Sequence, residues 1–504
     1  MRKSAVALAA IPLLLASAAF AVEPPPPLHL PAPKLSPPGK DYPITNYGAV
    51  GDGSTLNTQA IQKAIDACAA AGGGTVVVPA GTFYSGAIFV KPHVNLRIDK
   101  GGILKGSTNP ADYPIINSRW EGIERPWMAA FVNVTDCDGV TVGGGGVIDG
   151  SGDLWLRNLP RYRGRGRGRG AAARAGAARA SAASSPGGPA NPTTYPAPQT
   201  TFTGPRTVLT PTTTPPPDRL PGYGPMKPRL ICFTNCSNSA VENLTLRNQA
   251  IWCVHLLYCT DFLARNLTIR DPNRNVPSSD GMDIDSCNRV TVDHVDIDCN
   301  DDCISIKSGK DADGRRVNRP SQFILIENSH FAYGQGGVAM GSEVSGGIHD
   351  VEVRDCTSDT GNWAPIRFKS QPTRGGTVQN IVYRNFKLSN TRQAFEFNLA
   401  WNMRNNNPTA TFPTTIKNVF LINITGDVNR AGAINGMPGH PIRDVYFDNC
   451  TLTANTGLVL NNTQDIDTSG LKLTVKQGAP IIHRQGSAPA GRGRANSAPA
   501  RTPG

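Results

Sequence analysis

With 504 residues, 39% of them hydrophobic, and with 53 glycines and 42 prolines, the chain has a composition that favours strands and turns over a helical bundle. Its formal charge of +12 is not spread evenly: seven arginines lie between Arg161 and Arg179, three in the tail (Arg492, Arg494, Arg501), and Arg2 and Lys3 open the chain. Without these twelve, the basic residues equal the 38 acidic ones, so no polyanion-seeking field is implied and no nucleic-acid partner is expected.

Residues 1–21 have the form of a signal peptide: Arg2 and Lys3, an apolar run from Ala5 to Phe20, and a small-x-small pattern at Ala19-Phe20-Ala21. An exported protein, periplasmic or secreted, is expected, and no later apolar run is long enough for a membrane span. Prolines crowd residues 22–40, which read as an extended linker, so folded structure is expected from about Asp41. Asn57 or Thr58 can cap a helix whose apolar residues Ile61, Ile65 and Cys68 recur at helical spacing until Gly72, Gly73 and Gly74 stop it. Short strands follow at Val76 to Val78, Ala87 to Val90, Leu96 to Ile98 and Val140 to Val142.

Later strands share a template, an apolar-x-apolar pair followed by a polar residue: Asn243, Asn266, His294, Asn328, Asp355, Asn385, Asn423 and Asn449. The mean repeat is the length of one solenoid coil, which buries its apolar face only by stacking on neighbours. The expected fold is all-β, a right-handed parallel β-helix over residues 41–486 with the Asn57 to Ala71 helix capping its N-terminal end. Residues from about 156 to 222 break the pattern with Arg/Gly, Ala/Arg and Pro/Thr-rich sequence. They lack the apolar content to offset ordering entropy and read as a disordered insertion, as does the tail from 487 to 504. Eleven cysteines read as buried thiols or disulfides, since Cys232/Cys236 and Cys299/Cys303 lack the partners of a zinc site.

The stretch Ser278-Ser279-Asp280-Gly281-Met282-Asp283-Ile284-Asp285, followed by Asn300-Asp301-Asp302-Cys303-Ile304-Ser305-Ile306-Lys307, carries the chemistry. Placing Met282 and Ile284 beneath Ile304 and Ile306 stacks Asp280 on Asp302. It also aligns Asp283, Ser305, Ala339 and Arg367 in one column, with Asp285, Lys307, Gly341 and Lys369 in the next. A lone Asp on a solenoid is ordinarily a ladder residue. Three together, with Arg367 and Lys369 two coils on, can split their pKa values and supply an acid and a base, while the cations suit a sugar carboxylate. A calcium cage was the competing reading of such a cluster, but Asp311-Ala312-Asp313-Gly314 begins an EF-hand-like loop without completing it, and no metal or cofactor is expected.

Six segments in order resemble the polygalacturonases of glycoside hydrolase family 28, from about Asp41 to Val475 outside the insertion. They are Asn46 to Gly53, Val147 to Gly152, Ser279-Asp280-Gly281, Asn300 to Ile304, Gly341 to Gly347 and Arg367-Phe368-Lys369. The resemblance implies a right-handed parallel β-helix and hydrolysis of pectic galacturonate chains with inversion. It implies Asp301 as general acid, Asp280 and Asp302 as the pair activating water, and Arg367 and Lys369 as binders of galacturonate.

Two positions depart from the family pattern. Asn-Thr-Asp is here Ser278-Ser279-Asp280, and Gly-His-Gly is Gly334-Gln335-Gly336, so Gln335 can hydrogen-bond substrate but cannot carry charge. His255 is a candidate to fill part of the space of the missing imidazole. Trp252, Trp363 and Trp401 are each a sugar platform or packing. The lengthened turn from Lys310 to Arg319 favours exo action by blocking one end of a cleft. The expected partner is pectic polysaccharide, galacturonan or rhamnogalacturonan, bound by a monomer. The alternatives are an exo-acting rhamnogalacturonan galacturonohydrolase, a calcium-using pectic lyase and a non-catalytic carbohydrate-binding solenoid.

Overall fold

A computed structural model describes residues 23–158, 226–401 and 411–484. The signal sequence, almost all of the insertion and the tail lie outside these residues. The described chain winds into a right-handed parallel β-helix whose strands join one 30-stranded sheet, with a two-stranded antiparallel hairpin added. The capping helix α1, Thr58–Ala70, forms where expected and buries Ile61, Ala64, Ile65 and Cys68 against the first coils. Asn57 stands at its N-cap, but its side chain is spent on a turn: Oδ1 accepts from Val50 N at 2.7 Å and Nδ2 donates to Val50, Thr55 and Tyr84 carbonyls.

The sequence template marks a corner. Asn243, Asn266, His294, Asn328, Asp355, Asn385, Asn423 and Asn449 all adopt left-handed backbone, with φ between 48° and 56°. This region tolerates Asn and Asp better than other non-glycine residues, because a short polar side chain can bond locally. Asn266 Nδ2 donates to Asn243 Oδ1 at 3.0 Å, and Asn423 to Asn385 at 2.8 Å, so the corners also bond from coil to coil. Inside, Met282, Ile284, Ile304, Ile306, Val338 and Ile366 stack into one continuous core with no exposed surface.

Three features were not read from the sequence. Strands Ile115–Trp120 and Ile123–Met128 form the antiparallel hairpin, which lies over the outer face of the middle coils. The turn after the Asp pair folds into a helix, α3, Asp311–Val317, which meets that hairpin: Glu124 N donates to Asp313 Oδ2 at 3.0 Å and Lys310 N to Gly122 O at 2.9 Å. The Pro-rich stretch is extended as expected but is no free linker. Leu28 is buried against Phe323 and Leu325, and Arg384 Nη2 donates to Pro25 O at 3.0 Å. All eleven cysteines are buried free thiols, not disulfides. A second short helix, α2, Gly152–Asn158, occupies the first positions assigned to the insertion. Among the described residues no helix is long and apolar enough to cross a membrane.

Candidate active site

The strands that carry the site stack in the register the core dictates. Met282 pairs with Ile304, Asp283 with Ser305, Ser305 with Ala339, and Ala339 with Arg367. The column extends at both ends, to His255 beneath Asp283 and to Glu396 above Arg367. Just before these strands Gly281 N donates to Asp302 O at 3.0 Å, which stacks Asp280 on Asp302. The backbones approach so closely that a Cβ at Gly336 would lie 2.8 Å from Asp302 Oδ1. Only glycine fits there without displacing the carboxylate.

The three expected carboxylates converge: Asp280, Asp301 and Asp302 each place an oxygen within 4.8 Å of the other two. Asp280 and Asp302 are buried, and Asp301 is partly open. Asp302 Oδ1 accepts from Arg367 Nη1 at 2.9 Å, and Oδ2 accepts from Lys369 Nζ. Burial alone would raise the Asp302 pKa, but Lys369 and Arg367 outweigh it and hold the carboxyl below its usual range. Asp280 has no such partner: burial first, then the charges of Asp283 and Asp301, push it well above that range. One carboxylate is thereby held ionised beside one that keeps its proton.

Arg367 and Lys369 are nearly buried and face Asp302 rather than an empty cleft. Arg367 Nε also stands 2.8 Å from Glu396 Oε2, a charge contact without the alignment of a hydrogen bond, and its guanidinium lies 4.6 Å from the Trp401 ring centroid. Glu396 escaped the sequence reading, although the Phe395-Glu396-Phe397 alternation sets it in the Arg367 column. Gln335 lies half-buried beside the acid, its backbone N donating to Asp301 O at 2.9 Å. Both Asp302 oxygens are thus bonded by the two basic side chains. The carboxylates of the EF-hand-like segment are committed too, Asp311 to Arg374 and Asp313 to Arg316.

His255 is not at the cleft surface. It is fully buried, packs edge-on to Trp252, and its Nδ1 accepts from Arg229 Nη1 at 2.7 Å, so no sugar reaches it. Trp252 is likewise buried, stacked between Trp120 and the Lys307 ammonium. Of the three tryptophans, Trp363 and Trp401 keep exposed surface. The hairpin is fixed to this wall by Arg119, whose Nη1 donates to Asp285 Oδ1 at 2.9 Å with both side chains fully buried. No periodic signal could have found Arg119, because the hairpin lies outside the repeat.

An acidic cluster able to hold a proton and a base side by side, on the face of a stacked solenoid, suits acid–base catalysis. Residues 222–470 match the model of glycosyl hydrolases family 28, and residues 43–117 that of rhamnogalacturonase A/epimerase, pectate lyase-like proteins. The exo-poly-alpha-D-galacturonosidase of Dickeya chrysanthemi is 29% identical over 420 residues, 78% of this chain and 64% of that protein. A probable polygalacturonase of Vitis vinifera is 26% identical over 81% of this chain and 73% of that protein. In fold, the chain is similar to the exopolygalacturonase of Thermotoga maritima, with a TM-score of 0.68, 24% identity, and coverage of 88% of this chain and 94% of that one. Residues 222–470 thus place this part of the chain with glycosyl hydrolases family 28.

Proposed function

We propose that the protein hydrolyses the glycosidic bonds of galacturonate-containing pectic polysaccharide. The observation that carries this reading is Asp302, held ionised by Arg367 and Lys369 with Asp280 and Asp301 oxygens within 4.8 Å. Asp301, the most open of the three, protonates the leaving oxygen. Asp302, with Asp280 beside it holding a proton, deprotonates the attacking water. Arg367 and Lys369 add positive charge for the substrate carboxylate, and Gln335 and Trp401 line the same mouth.

Inversion is part of the proposal. The nearest oxygens lie within 4.8 Å of one another, closer than the roughly 6.5–9.5 Å between carboxyl groups usual for inversion. A retaining route would need one of these carboxylates to attack the sugar directly. Proton NMR of the first-formed anomer decides between the two.

Attack from a chain end is favoured by the wall that the hairpin and α3 build beside the carboxylates. Release of monomer with little early loss of viscosity supports it, and a ladder of oligomers refutes it. The same assay on homogalacturonan and on the alternating rhamnose–galacturonate backbone identifies the substrate. Export before action is supported by Arg2, Lys3 and the apolar run to Phe20. A lyase is the rival chemistry. Activity that survives excess chelator and yields reducing ends without unsaturated-product absorbance excludes it, whereas loss on chelation with rescue by calcium establishes it.

A further inference from the structure

Behind the catalytic carboxylates lies a second set of buried charges for which hydrolysis as described has no use. Asp283 follows Asp280 by three residues on the strand Met282–Asp285 and has no exposed surface. Neither of its oxygens has a hydrogen-bond partner. Lys307, one coil on, stands 3.5 Å from Asp283 Oδ1 and 3.0 Å from Glu343 Oε2. The groups that act on Asp283 are Lys307, His255, Glu343 and Asp302, with Asp280 and Cys253 also alongside.

Charge balance decides how this set behaves. Asp302 is matched by Arg367 and Lys369, and Glu343 is held down to about 2, against its burial, by Lys307, Arg374 and Lys310. What remains of the Lys307 field must serve both Asp283 and Asp280, and in a buried site one ammonium cannot hold two further carboxylates ionised. Asp283 is the nearer claimant. Burial raises it to about 7, with Lys307 and His255 restraining the rise, while Asp280 is raised further, by burial and then by the Asp283 charge.

Resting on the hydrolytic reading above, we propose that Asp283 is a positioning residue which takes the Lys307 charge and so keeps the proton on Asp280 as the pH rises. It touches no substrate. It would supply the near-neutral titration lost with the imidazole that Gln335 replaces, from behind the site rather than beside the acid.

The test is pH-difference infrared spectroscopy of the carboxyl stretch on the full protein, with Asp280→Asn used to assign the Asp280 band. In Asp283→Asn the Asp280 carboxyl should lose its proton roughly one pH unit lower, the size of one close coupling. The alkaline limb of kcat should move down with it while KM stays put. An Asp280 band that does not move in a folded Asp283→Asn overturns the proposal. Should that variant not fold, the wild-type spectrum decides: two buried carboxyls titrating in successive steps support the coupling, and a single one refutes it. The infrared readout needs no turnover, so a shifted band in a protein that cleaves no pectic polymer would refute the hydrolytic reading alone.

Discussion

Asp301 keeps one open side where Asp280 and Asp302 do not, and an acid that must reach a leaving group needs that opening. A positioned general acid contributes about 10²- to 10⁴-fold, so Asp301→Asn should lower kcat at least about a hundredfold with little change in KM, read from initial rates on galacturonan. Near-full turnover with the fold intact would remove Asp301 from the mechanism. For Arg367 the sequence suggested a binder whose loss raises KM first. Its bond to Asp302 changes that expectation. Arg367→Ala removes one of the charges that, with Lys369 and Lys307, hold Asp302 down, so the Asp302 pKa rises and the acid limb of kcat/KM moves to higher pH, with kcat falling as well as affinity. An unmoved acid limb would show that the two lysines alone set the charge.

Two elements outside the repeat carry contacts that stability measurements can weigh. Arg119 ties the hairpin to Asp285 in full burial, and breaking such a pair from one side typically costs about 3–5 kcal/mol. Arg119→Met should therefore lower Tm by several degrees and expose the Trp120 and Trp252 stack, visible as altered tryptophan fluorescence. On the outer wall His330 bridges two coils, with Nδ1 3.0 Å from Asp296 Oδ1 and Nε2 3.1 Å from Asp359 Oδ1. The bond to Asp296 above all, and that to Asp359, raise the His330 pKa. The pair then contributes stability that is complete below the unfolded histidine value of about 6.5 and is lost as pH climbs through the higher folded value. His330→Gln should lower Tm at acidic pH and leave it nearly unchanged at alkaline pH; an equal loss at both would rule out the charged bridge. Neither element was legible. The hairpin has no periodicity, and the lengthened turn at Lys310 to Arg319 showed only its length, since seven residues with Asp311, Asp313, Arg315 and Arg316 look as much like loop as like α3. The column of Asp283, Ser305, Ala339 and Arg367 could be read because alternation of core residues permits a single register. Distance along a column was legible too, but not which side chains reach across it, so the grip of Arg367 on Asp302 stayed hidden.

At the scale of the molecule the repeat was plain in the sequence because each corner needs a left-handed residue, whereas the Pro-rich stretch misled because prolines fix extension without showing what lies beneath. From Pro38 back to Pro25 it runs against the order of the coils. Pro38 O accepts from Thr75 Oγ1, Ser36 N donates to Gly139 O at 2.8 Å, Lys34 N to Asn238 Oδ1 at 3.2 Å, Leu28 N to Glu352 Oε2 at 2.5 Å, and Pro25 O accepts from Arg384. A stack of coils is otherwise a nearest-neighbour chain, free to fray from either end. A segment that touches early, middle and late coils together makes opening one of them felt by the others. Deleting residues 23–37 should accordingly broaden the thermal transition more than it lowers its midpoint, and a transition of unchanged sharpness would show that the segment merely rests on the wall. The direction of synthesis adds a further consequence. The first part of the mature sequence to leave the ribosome finds its last partner more than three hundred residues later, so it can close only over a finished column, like a seam drawn shut after the cloth is folded.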